Sequence, residues 1–165
     1  MECRGAIGTG KNQRLMPSFS ERTLVLAIGN ASRGDDGLGW AFADAVEASG
    51  FPGTIAQRYQ LQIEDAELCS HYEQVVFVDA WKTAQTTLWE WMPCTPSREA
   101  AFTTHALSPQ AVLYLCESVF DCRPEAWLLL LRGTQWELGQ PLSAQARKSL
   151  EMGLDFFDAF LPSTS

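Results

Sequence analysis

Three apolar runs, "TLVLAIG" at 23–29, "VVFVDA" at 75–80 and "AWLLLLRG" at 126–133, constrain the fold more than any other feature of the chain. A strand with one wet face alternates apolar and polar residues, so a run that is apolar at nearly every position reads as a strand covered on both sides. The intervening segments supply the covers. "GLGWAFADAVEASG" sets Leu38, Phe42, Ala45 and Val46 on one helical face and stops at Gly50. "SPQAVLYLCESVF" opens with Ser108 as N-cap and Pro109 at the first helical position, and "LSAQARKSLEMGLDFFDAFL" starts at a second capping serine, Ser143. "TIAQRYQL" reads as a further strand, "EDAELCSHY" as a short helix and "TTLWEWM" as a hairpin or edge strand. Strands alternating with helices predict the α/β class: a single three-layer domain over residues 22–161, with a mostly parallel sheet of about five strands and helices on both faces.

Residues 1–21 lack such patterning and are read as a flexible N-terminal tail, with Met16 as an alternative start. A net charge of -8 argues against a nucleic acid or an anionic membrane surface as partner, since a polyanion is repelled. No apolar run approaches the roughly 20 residues that span a bilayer. The five cysteines, Cys3, Cys69, Cys94, Cys116 and Cys122, form no CxxC pair, and their odd number cannot pair completely within one chain; a reducing cytoplasm is the expected location.

Open α/β sheets bind ligands beyond the carboxyl ends of their strands. The residues expected there are Asn30, Asp35 and Asp36 after the first strand, Asp79 at the end of the third, and His105 ahead of the second long helix. Each has a plain structural reading. Asp35 or Asp36 can cap the helix that follows, Asp79 can be a turn residue and His105 a surface group. One cap does not account for two adjacent acids, however, and two carboxylates with an imidazole suit a divalent ion such as nickel, zinc or cadmium. His71 reads as a surface residue, and Cys94 and Cys116 as packing thiols. Trp81, Trp89 and Trp91 read as packing or, alternatively, as a docking face, with Trp81 two positions past Asp79.

"AIGNASRGDDGLG", "VVFVDA", "THALSP" and "LRGTQWELGQPLS", in that order, resemble the hydrogenase maturation endopeptidases, over roughly residues 22 to 160. The family's G-x-G-N opening and its D-D/E-G-x-G unit are matched by Gly29-Asn30, Asp35-Asp36-Gly37 and Gly39, with Ala27 where the first glycine is usual.

The resemblance implies that Asp36, Asp79 and His105 form the metal-binding and catalytic set, and that "RGTQWELGQPLS" marks the fold. It implies a cytoplasmic, aspartic-type endopeptidase that recognises nickel carried by a nickel-iron hydrogenase large-subunit precursor and removes the precursor's C-terminal extension. Another divalent ion, such as cadmium or zinc, can occupy the site. Asp35 is then left to loop structure or support of the site. Two other classes stay open. One is a non-catalytic module that binds metal or precursor. The other is a phosphate-binding loop, although "GNASRGDDGLG" lacks the GxGxxG order and the Walker lysine.

Overall fold

The computed structural model describes residues 17–99 and 106–163. Among them β1 (Thr23–Ile28), β2 (Thr54–Arg58), β3 (Gln74–Lys82), β4 (Trp89–Pro93) and β5 (Glu125–Gly133) form one five-stranded sheet in the order β2-β1-β3-β5-β4. Only the β4–β5 pair is antiparallel, so "TTLWEWM" supplies an edge strand. The helices are α1 (Leu38–Ala48), α2 (Glu64–Ser70), α3 (Pro109–Phe120) and α4 (Ala144–Asp158).

Strand alternation divides the core into two layers. Val25, Ala27, Val76, Val78, Leu129 and Leu131 face α1 and α4 and meet Phe42, Val46 and Phe157. Leu24, Leu26, Val75, Phe77 and Leu128 face α2 and α3 and meet Cys69, Val112 and Cys116. Every residue of β1 is buried, which is why its apolar run has no polar alternation. Ser108 and Ser143 cap α3 and α4, accepting the N–H groups of Ala111 and Ala146 at 3.1 Å each.

Three details depart from the sequence reading. On α1, Ala43 is buried where Ala45 was expected, because the helix packs against both β1 and α4 and its apolar stripe is correspondingly wider. Phe19, inside the segment assigned to a tail, is 1% exposed, and its ring stacks on Phe157 at 4.8 Å. Its N–H also donates to the Phe160 carbonyl at 3.1 Å, so the packed domain takes in Phe19. Cys122 is disulfide-bonded, while Cys69, Cys94 and Cys116 are free and buried.

Candidate active site

The chain steps from β1 to β2 on one side of the sheet and then returns past β1 to β3 on the other. That reversal splays the connections apart at the carboxyl ends of β1 and β3, the place where open α/β sheets hold ligands. Asp36 lies in the short 3-10 turn Gly34–Gly37 that follows β1, and Asp79 lies near the end of β3.

Backbone geometry aims the β1 loop. Gly29 has φ +152°, and a Cβ there would stand 2.1 Å from the Asp36 carbonyl oxygen; Gly34 has φ +56°, with a Cβ 2.5 Å from the Gln135 carbonyl oxygen. Neither position admits a side chain. The loop then closes on itself: the Asn30 N–H donates to the Asp36 carbonyl at 3.0 Å, and the Arg33 N–H to the Asn30 carbonyl at 3.1 Å. The Asp36 N–H donates to the Arg33 carbonyl at 3.1 Å, and the Ser32 N–H to the Asn30 side chain at 2.9 Å. Donors that would cradle a phosphate are thus already engaged, which removes the physical basis of the phosphate-loop reading.

The two adjacent aspartates part company. Asp35 is 0% exposed and points toward the β5–α4 connection. Its carboxylate accepts the N–H groups of Thr134 (2.7 Å), Gln135 (2.9 Å) and Ser143 (2.7 Å) and the Ser143 hydroxyl (2.7 Å). Burial works to raise its pKa, but the hydrogen bonds from Ser143, Thr134 and Gln135 outweigh it and hold the carboxyl below the ordinary aspartate value. Asp35 is a brace that ties the β1 loop to the end of β5 and the start of α4.

Asp36, by contrast, is partly exposed at the rim. Burial pushes its carboxyl upward against the opposing pull of the Arg33 charge and the Asn30 N–H. Asp79 is pushed up to about 7, chiefly by burial, then by the nearby Asp36 charge, against the single N–H of Ala80 donated at 2.8 Å. Two carboxyls raised chiefly by burial at one rim, with the Asp36 charge adding to the rise of Asp79, make a pair of hard oxygen donors that a divalent cation would stabilise in their charged form.

The structure therefore brings Asp36 and Asp79 together and sets Asp35 aside. His105 lies outside the described residues, and among those described no three His, Cys, Asp or Glu side chains converge as a metal site. Cys94 and Cys116 are pushed up to about 11 by burial, which suits inert packing thiols. His71 is exposed. Trp89 packs on Phe156 at 4.3 Å, and Trp91 stacks between Trp127 and Phe160 at 5.7 Å from each, so both are half-buried and pack against the core. Sequence reasoning missed the partners of Asp35, for which the Gly-Thr-Gln turn after β5 and the capping Ser143 were the available signals.

Comparison with solved structures finds the same architecture in known proteins. The hydrogenase maturating endopeptidase HybD from E. coli superposes with a TM-score of 0.65 at 17% identity, over 84% of this chain and 90% of that one. The chain has the hydrogenase maturation endopeptidase fold. The nickel-iron hydrogenase maturation protease HycI from Thermococcus kodakarensis KOD1 gives a TM-score of 0.65 at 18% identity, over 85% of this chain and 92% of that one. The hydrogenase 2 maturation peptidase from Thaumarchaeota archaeon SCGC_AB-539-E09 gives 0.59 at 20% identity, over 82% and 95%. No protein-family model and no curated protein sequence matches the chain.

Proposed function

We propose that this chain is an endopeptidase that removes the C-terminal extension of a nickel-loaded hydrogenase large-subunit precursor. The observation that carries the proposal is the convergence of Asp36 and Asp79 across the β1/β3 reversal, on a fold that proteins named as hydrogenase maturation proteases share.

In this reading Asp36, Asp79 and His105 engage the nickel that the precursor carries, and the metal is part of what is recognised. A bound divalent ion polarises a nearby carbonyl and acidifies water. A carboxylate oxygen of the set can then accept the proton of the attacking water. Asp36, held by the 3-10 turn, serves as the fixed metal ligand, and Asp35 keeps that turn in place through β5. The net charge of -8 disfavours nucleic acid and anionic membrane as partners, and no helix among the described residues is long and apolar enough to cross a membrane.

The test mixes the purified protein with a nickel-loaded large-subunit precursor and with the same precursor free of nickel, and follows intact mass over time. Loss of one C-terminal peptide from the nickel-loaded sample alone is the expected result. Binding without any mass change would replace the peptidase by a non-catalytic precursor-binding module.

A further inference from the structure

Arg132 stands near the end of β5, in register with Trp81 of β3 and two residues beyond Leu130, the partner of Asp79. Leu129 and Leu131 face α1 and α4, whereas Leu128 and Leu130 face the α2–α3 layer, so the alternation puts Arg132 on the second face. Phe77 faces that layer too, so the alternation along β3 carries Asp79 and Trp81 to the same side. Strand spacing sets the Arg132 and Asp79 Cα atoms about 8 Å apart.

Part of the guanidinium is left without an internal partner. Its Nε is buried with no hydrogen-bond partner, and among the described residues no acid forms an ion pair with it. Glu90, in register with Leu130 on β4, is close in the sheet and does not pair with it. Trp81 is half-buried and, unlike Trp89 and Trp91, has no aromatic partner among the described residues. A buried guanidinium nitrogen without an acceptor costs stability unless a ligand supplies one, and the partly exposed remainder of the side chain is open to that ligand. On a rim that carries two acids, a carboxylate on an incoming chain also needs a cation of its own.

We propose that Arg132 and Trp81 form a subsite for the precursor's C-terminal extension, in which the guanidinium takes a carboxylate of that peptide and the indole covers its apolar part. This rests on the peptidase reading above and adds a residue that sets specificity. The carboxylate is either an acidic side chain of the extension or its terminal carboxyl.

The experiment uses the nickel-loaded precursor with three tails: unmodified, with acidic side chains replaced by their amides, and with an amidated C-terminus. Affinity and processing kinetics are measured for the wild-type protein, Arg132→Met, Arg132→Lys and Trp81→Leu. The wild type is expected to bind the unmodified tail roughly tenfold better than one neutralised tail, which identifies the source of the carboxylate. Arg132→Met should lose that discrimination and raise KM about tenfold with kcat little changed, and Arg132→Lys should restore part of it. Trp81→Leu should weaken all three tails alike. If the wild type treats the three tails equally, or if Arg132→Met still discriminates, the subsite is wrong, and the wild-type comparison stands even if a variant fails to fold. Discrimination in binding without cleavage overturns the peptidase reading alone, cleavage without discrimination overturns the subsite alone, and absence of binding overturns both.

Discussion

Replacing Asp35 by asparagine isolates the brace that holds the β1 loop. The wild-type carboxylate is fully buried and uses both oxygens: Oδ1 accepts the Ser143 N–H, and Oδ2 accepts the N–H groups of Thr134 and Gln135 together with the Ser143 hydroxyl. Asparagine has nearly the same shape and one acceptor oxygen. In its better orientation that oxygen replaces Oδ2, and the amide NH₂ then confronts the Ser143 N–H. One charge-assisted bond is lost, the others become neutral, and a buried donor is left without an acceptor. Bonds to a charged group contribute about 1.5–3 kcal/mol and an orphaned donor costs about 1–3 kcal/mol, so with overlap between these terms the expected loss is about 3–4 kcal/mol.

Urea unfolding at pH 7 measures that loss, and a difference below about 1 kcal/mol would refute the brace. A pH series adds an independent reading. The Asp35 carboxyl titrates below its ordinary 3.8 in the fold. Its contribution is therefore present above about pH 4 and is lost as pH falls through the lower folded value. Wild-type stability should drop more steeply in that acid range than that of Asp35→Asn.

Asp79→Asn should act in the opposite sense. With the folded carboxyl at about 7 against an ordinary 3.8, the native state holds an extra proton between those values, and stability falls as pH rises through 7; the variant should gain up to about 4 kcal/mol at pH 8 while losing processing, as denaturant melts and mass spectrometry would show. A divalent ion requires both carboxylates deprotonated, so nickel added to the wild type should raise its melting temperature more at pH 8 than at pH 6, and not at all in Asp36→Ala. Asp36→Ala and His105→Ala should each abolish tail removal with circular dichroism unchanged, and normal removal by either would sink the proposed metal set. Phe19→Ala should destabilise the domain by about 3–5 kcal/mol in urea unfolding, because the ring packs against Phe51, Trp127, Phe157 and Phe160.

What the sequence revealed follows the range of the physics involved. β1, β3 and β5 were legible because burial on both faces removes polar residues locally, and the starts of α3 and α4 because Ser108 and Ser143 serve N–H groups three residues away. Phe19 was not, since one aromatic in "PSFSER" shows no period, and its partners lie in α4 and β5. The bonds that fix Asp35 span 99 to 108 positions, so no window around "GDDG" contains them. Asp36 and Asp79 were legible as residues at the carboxyl ends of their strands, but that those two ends are neighbours needed the strand order, which places β3 directly beside β1. Arg132 gave no signal, because an arginine ending a strand looks the same whether or not its guanidinium finds a partner.

Two neighbouring acids of one type are driven in opposite directions by what surrounds them, and that separates their tasks. Asp35 receives four close donors, stays charged, and converts burial into rigidity. Asp36 and Asp79 receive few donors, and their carboxyls are raised. A fold selected for stability alone would supply more donors there or replace the acids, since an under-solvated carboxylate pair destabilises the native state. The pair makes physical sense when a cation arrives from outside, because that charge offsets the burial that disfavours both carboxylates. The brace is what allows the pair to persist. Without Asp35 the 3-10 turn could relax and carry Asp36 away from Asp79, so Asp35→Asn should weaken metal binding as well as stability, although its own carboxylate is committed to Thr134, Gln135 and Ser143.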